Sequence, residues 1–194
     1  MKKKILFLTN NNSSLALYEW LVKHNENVVL YTGKLNIDTT IQYRPGIIIS
    51  YNYKYIISQE VINYVDGEIF NLHISLLPWN RGASPNYWSF IENTPKGASI
   101  HKVDSGLDTG DIVVQEELFF DEKSESFLST YGKLHEKIKL LFMENWDNIK
   151  NGDYSQKKQD GKGSFHTIKD FQSFTGGSID WEENIASYKT RMGI

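Results

Sequence analysis

Cysteine is absent from the chain, which excludes disulfides, thiolate nucleophiles and cysteine-ligated metals together. No apolar run approaches the ~20 residues that a membrane-spanning helix requires. The first such run, residues 5–8, is also far too short for a secretion signal. A cytoplasmic protein with no membrane partner is therefore expected. Positive charge is scarce as well: 21 Lys and Arg stand against 24 Asp and Glu, a formal net charge of −3. The one basic cluster, Lys2-Lys3-Lys4, precedes the first apolar run and reads as a solvated N-terminus. Binding a duplex or a tRNA needs a basic stripe that neutralises phosphates, so no nucleic-acid partner is expected.

What is present is ordinary for a globular protein. The 194 residues fit one domain with a sizeable core, and 40% apolar with 23% charged residues argues against disorder. Aromatic residues are plentiful, with 11 Tyr and 5 Trp. Their flat apolar surface and polar edge suit a ring-bearing ligand and a protein core equally well.

Apolar patterning gives the organisation. Ile5-Leu6-Phe7-Leu8, Val28-Val29-Leu30-Tyr31, Ile47-Ile48-Ile49-Ser50 and Glu68-Ile69-Phe70-Asn71-Leu72 read as strands apolar on both faces. Helical spacing of Leu15, Leu17, Tyr18, Leu21 and Val22 predicts a helix over 14–24, and 58–65 reads as another. Strands alternating with helices predict an α/β, Rossmann-like open sheet, mostly parallel, with helices on both faces. Residues 86–93 read as a helix, and 98–103 and 112–118 as two strands joined by a glycine-rich turn. A long helix follows over 126–149, with Leu128, Tyr131, Leu134, Ile138, Leu141, Phe142 and Ile149 as its apolar stripe. Residues 1–150 are thus read as the main α/β domain. Residues 151–194, polar and glycine-rich, read as a loop-rich extension packed on it, with too few apolar residues for a core of their own.

The chemistry concentrates in Asn71-Leu72-His73-Ile74-Ser75-Leu76-Leu77-Pro78 and Gly106-Leu107-Asp108-Thr109-Gly110. Asn71 and His73 are two apart, so at a strand end both side chains project to one face, and strand ends are where open parallel sheets bind ligands. Taken singly, Asn71 reads equally as a turn cap, His73 as a hydrogen-bonded structural residue and Asp108 as a turn aspartate. Together they supply what acyl transfer to an amine needs: a carbonyl polariser, a proton handler and a group to orient it. No spacing resembles a metal-ligand set, so no metal is expected.

These two segments, with Arg81-Gly82, Gly97 and His101 between them, resemble the folate-dependent formyltransferases. That family includes glycinamide ribonucleotide transformylase, methionyl-tRNA formyltransferase and the sugar N-formyltransferases. The resemblance implies N10-formyltetrahydrofolate as co-substrate and Asn71, His73 and Asp108 as catalytic residues. In that role Asn71 and protonated His73 donate to the oxygen of the formyl group while Asp108 orients His73; alternatively His73 is the base and Asp108 relays through water. The resemblance also implies a pterin slot formed by Tyr53, Tyr55 and Ile56 of the loop after the third strand. Val103, Gly106 and Leu107 would form its second wall.

The acceptor is read from the surroundings. The loop Thr9-Asn10-Asn11-Asn12-Ser13-Ser14 lacks the glycine that brings backbone N–H groups close to a phosphate, which counts against glycinamide ribonucleotide. A tRNA-acting enzyme would add a further domain and a basic surface. The segments 78–90 and 163–170 are instead similar to sugar N-formyltransferases of surface-polysaccharide pathways, which implies a nucleotide-linked amino-deoxysugar. Asn10, Trp79, Arg81 and Lys169 are then expected to contact it, whereas Trp88 reads as core. Formylation of glycinamide ribonucleotide is the alternative, and a folate or sugar-nucleotide binding module without turnover is a further one. Phe165, Phe171, Phe174 and Trp181 are expected to pack on the domain or on the partner subunit of a homodimer.

Overall fold

A computed structural model describes residues 3–24 and 26–194; Lys2 of the basic cluster lies outside them. The predicted apolar runs form β1 (Ile5–Leu8), β2 (Val28–Tyr31), β3 (Ile47–Tyr51) and β4 (Ile69–His73). With β6 (Lys96–Lys102) and β7 (Ile112–Leu118) they make one sheet in the order β2-β1-β3-β4-β6-β7. Pairing is parallel from β2 to β4, as expected of a Rossmann-like α/β sheet. The last two pairings are antiparallel. The turn 103–111 is too short for a crossover, so β6 and β7 must run in opposite directions.

Side chains alternate faces along each buried strand, and each face has its own cover. Ile5, Phe7, Ile47, Ile49, Phe70 and Leu72 pack beneath α1 (Leu15–Lys23) and the long α5 (Phe127–Asn151). Leu6, Leu8, Ile48 and Ile69 pack beneath α2 (Ile37–Tyr43) and α3 (Gln59–Tyr64). In α5 the stripe Leu134, Ile138, Leu141, Phe142 and Ile149 is buried as expected. At its N-terminal end Leu128 is half exposed and Tyr131 only partly buried; both face a cleft rather than the core.

Two features depart from the sequence expectations. Residues 37–43 form α2 although Ile37, Thr39, Thr40 and Ile41 are β-branched and weak helix formers. Asn36 caps it by accepting from Thr39 N at 2.9 Å, and Thr40 is fully buried. The extension after 151 is also more structured than a loop-rich tail. It contains β8 (Phe165–His166), paired in parallel with the short β5 (Arg81–Gly82), together with α6 (Ile168–Thr175) and α7 (Ile185–Met192). Ile185 and Tyr188 of α7 are buried against Phe127 and against Tyr87 of α4 (Pro85–Ile91). The Tyr87 and Tyr188 hydroxyls lie 2.7 Å apart. The extension therefore docks beside the carboxyl ends of β3 and β4.

Candidate active site

Asn71 and His73 occupy the end of β4. Asn71 pairs with Ser50 of β3 on one side and with His101 of β6 on the other. Asp108 comes from the β6–β7 turn, with a left-handed backbone (φ 55°). Gly110 lets this turn lie close on β6, because a Cβ there would collide with the Lys102 carbonyl.

The Asp108 carboxylate is the hub. Its Oδ1 accepts from Asn71 Nδ2 at 3.1 Å and its Oδ2 from the Gly82 N–H at 2.9 Å. His73 Nδ1 stands 3.7 Å from Oδ2, and His101 Nε2 stands 3.5 Å from Oδ1. Burial pushes this carboxyl upward, but the neighbouring His73 and His101 and the Gly82 N–H outweigh it and hold it well below the usual carboxylate range.

Both imidazoles are oriented by backbone carbonyls. His73 Nε2–H donates to Asn80 O at 3.0 Å, so Nδ1 is the nitrogen that faces Asp108. Asn80 is itself fixed: it is fully buried, and its amide donates to Thr94 Oγ1 at 2.8 Å. His101 Nδ1–H donates to Lys102 O at 2.7 Å, leaving Nε2 3.1 Å from Asn71 Nδ2. In the neutral ring this Nε2 accepts from Asn71; in the protonated ring it would turn its hydrogen to Asp108 and free an amide hydrogen of Asn71.

The three groups open into a cleft of about 800 Å³. It is lined by Tyr53, Tyr55, Ile56, Val103, Gly106 and Leu107, the residues expected to form the pterin slot. Ile56 is largely exposed and Leu107 half exposed. Tyr53 is a wall rather than a ligand donor, since its hydroxyl donates to Gly33 O at 2.6 Å and accepts from Leu35 N at 2.8 Å. The same cleft is also lined by Leu128 and Tyr131 of α5 and by Phe165, His166, Ile168 and Trp181 of the extension.

The four residues expected to contact an acceptor lie outside this lining. Asn10 ties loops together, donating to Thr32 O at 2.7 Å and accepting from Lys54 N at 3.1 Å. The Arg81 guanidinium binds Gln159. Trp79 is partly buried near the cis Leu77–Pro78 bond, and Lys169 is exposed on α6. Trp88 is buried as core and stacks on His166 at 4.0 Å. Sequence reasoning assigned no role to His166 or Gln159 and read Phe165 and Trp181 only as apolar tail. A Thr-x-x-Asp capping signal at 167–170 announces α6, but only the fold brings it to the cleft. Among the described residues no cluster of His, Asp and Glu is placed to hold a metal ion.

Comparison with known proteins agrees with this architecture. The formyl transferase family model matches residues 27–144. The chain belongs to this family. The formyltransferase PseJ from Anoxybacillus kamchatkensis superposes with a TM-score of 0.87 at 39% identity, over 94% of this chain and 96% of that one. That structure holds UDP-4,6-dideoxy-4-formamido-L-AltNAc and tetrahydrofolate. A dTDP-4-amino-4,6-dideoxyglucose formyltransferase of Mycobacterium tuberculosis is 34% identical over 109 residues, which are 56% of this chain and 46% of that protein. A methionyl-tRNA formyltransferase of Lachnospira eligens is 30% identical over 145 residues, 74% of this chain and 45% of its own length. The chain thus spans about half the length of the curated relatives it matches.

Proposed function

We propose that this member of the formyl transferase family moves the formyl group of N10-formyltetrahydrofolate to the primary amine of an amino-deoxysugar carried on a nucleoside diphosphate. Its place would be in surface-polysaccharide biosynthesis in the cytoplasm. The observation that carries this reading is that Asn71, His73 and Asp108 line one cleft together with the apolar Ile56, Leu107, Phe165, Ile168 and Trp181. The folate fits the wall formed by loop 52–57 and turn 103–107, whose exposed Ile56 and Leu107 offer a reduced pterin the apolar contact it needs.

The donor supplies an activated formyl carbon; the rest is positioning by this chain. Attack by the amine forms a new C–N bond and breaks the bond from the formyl carbon to N10, with the amine proton ending on N10. Negative charge grows on the formyl oxygen, where a donated hydrogen bond commonly contributes about 3–4 kcal/mol. Asn71 supplies that donor once an amide hydrogen is released from Asp108 or His101. His73, held by Asn80 O and facing Asp108, handles the proton.

The amine reaches the formyl carbon from the side away from the pterin, and on this reading the rest of the acceptor lies along Phe165, Ile168 and Trp181, which line the same cleft. These residues are 51%, 66% and 41% exposed, open apolar surface that suits a sugar ring or a base. The bound UDP-sugar of PseJ supports an acceptor of this class. The test is tetrahydrofolate release across a panel of UDP- and dTDP-linked 4-amino-4,6-dideoxysugars and glycinamide ribonucleotide. Turnover confined to amino-sugar nucleotides is expected; turnover of glycinamide ribonucleotide alone would move the protein to purine synthesis. Folate binding with no turnover of any acceptor would make it a binding module.

A further inference from the structure

Asp108 is held at both ends. At the carboxylate it receives the Gly82 N–H and the Asn71 amide. At the backbone, Gln159 Nε2 donates to Asp108 O at 2.8 Å and to Gly110 O at 2.7 Å. Gln159 Oε1 in turn accepts two bonds from Arg81, from Nε at 3.0 Å and from the terminal Nη2 at 2.7 Å. Both amide hydrogens of Gln159 and its oxygen are thus satisfied by part-buried partners, and the side chain has no freedom to swing away. Its own backbone is fixed nearby, since Lys157 exchanges N–H···O bonds of 2.8 Å in both directions with Ile112 at the start of β7. Arg81 is fixed too, its N–H donating to Ser164 O at 3.0 Å beside β8.

We infer that Arg81 and Gln159 form a clamp that positions Asp108, so that the extension after α5 sets the geometry of the catalytic turn. The inference rests on the proposed formyl transfer for its role in turnover. The turn needs such a device. Asp108 is a non-glycine residue in the left-handed region, which aspartate tolerates better than most residues but at a cost its surroundings must offset. Two adjacent carbonyls, Asp108 O and Gly110 O, converge on one donor group, and this bidentate grip fixes the turn's orientation as well as its distance from β4. Arg81 and Gly82 are consecutive, so one dipeptide reaches the backbone of Asp108 through Gln159 and its carboxylate through an N–H. Arg81 acts here as a positioning residue, its Nε and Nη2 bonded to Gln159.

The clamp is tested with Gln159→Leu, Gln159→Glu, Arg81→Met and the Arg81→Met/Gln159→Leu pair, all in the full chain, with melting curves to confirm folding. Gln159→Glu keeps the contact to Arg81 but loses both donated bonds. Each variant should lower kcat about a hundredfold, the scale of a misplaced reacting group, with KM for folate and acceptor within about threefold of wild type. The double variant should lose no more than either single one, since both break the same linkage. A second readout does not need turnover. In an NMR titration of side-chain carboxyls, Asp108 should stay charged to lower pH in wild type than in any clamp variant. If the wild type transfers no formyl group, the functional reading fails while this titration still decides the clamp. Wild-type kcat together with an unchanged Asp108 titration in Gln159→Leu would overturn the inference. So would an Arg81→Met variant that raises acceptor KM with kcat intact while Gln159→Leu behaves as wild type.

Discussion

Replacing Asp108 by Asn preserves shape and removes charge, and the structure sets what this costs. Both carboxylate oxygens accept from fixed N–H groups, Asn71 Nδ2 at 3.1 Å and Gly82 N at 2.9 Å. An amide has only one acceptor oxygen, so one of these donors is left facing an NH₂ group, at a cost of about 1–3 kcal/mol. The charge opposite His73 and His101 is lost as well, so kcat should fall about 10²–10⁴-fold. The pH dependence follows from the depressed carboxyl. Its folded pKa lies below the unfolded value, so its contribution to stability is fully present above about pH 4 and is lost as pH falls toward the folded pKa. Each pH unit below the unfolded value removes about 1.4 kcal/mol. Urea unfolding of wild type and Asp108→Asn at pH 7 and pH 3 measures this directly. The stability gap between them should shrink by about 1 kcal/mol at the lower pH. An equal gap at both pH values, or more than about a tenth of wild-type activity in the variant, would refute the reasoning.

Three further outcomes are expected. His135 is buried, its Nδ1 bonded to the Tyr51 hydroxyl, and burial, aided by nearby Lys139, pushes its imidazole down from 6.5 to about 4. Between those values the unfolded chain binds a proton that the folded chain does not, so wild type should lose about 1.4 kcal/mol per pH unit there; in His135→Gln that component of the slope should vanish from urea titrations. Ile56 is 79% exposed, so Ile56→Asp should fold normally yet bind a stable folate analogue about 10–100-fold more weakly by calorimetry. Trp181→Ala should raise acceptor KM several-fold and leave folate KM unchanged in steady-state assays, if Trp181, which lines the cleft, contacts the acceptor as proposed.

Legibility in the sequence followed how local each signal was. β1, β3 and β4 were readable because each is a mostly apolar run buried on both faces, and β2, partly buried at the sheet edge, because its run is apolar throughout. The Asn71/His73 spacing placed both side chains at one strand end for the same local reason. α2 was not readable, because its β-branched residues argue against a helix and its stability comes from the Asn36 cap and the burial of Thr40. α7 escaped for a similar reason: only Ile185 and Tyr188 are buried, against residues far away in the chain. His101 meets Asn71 only because β6 runs antiparallel to β4. Gln159 lies 51 and 49 residues from the carbonyls it grips, and no local pattern announces such a partner. Arg81 was expected to contact the acceptor; its bonds to Gln159 through Nε and Nη2 had no local signal in the sequence.

Transfer of a formyl group from folate to a sugar amine in this cleft can be followed directly with an isotopic label on the formyl carbon. Wild type would be incubated with labelled N10-formyltetrahydrofolate and a UDP- or dTDP-linked 4-amino-4,6-dideoxysugar, and the label followed by NMR. The signal should move from the folate to a sugar formamide with wild type and stay on the folate with His73→Ala. Label that stays on the folate with wild type across amino-sugar nucleotides, or that moves equally well with His73→Ala, would contradict the proposed transfer.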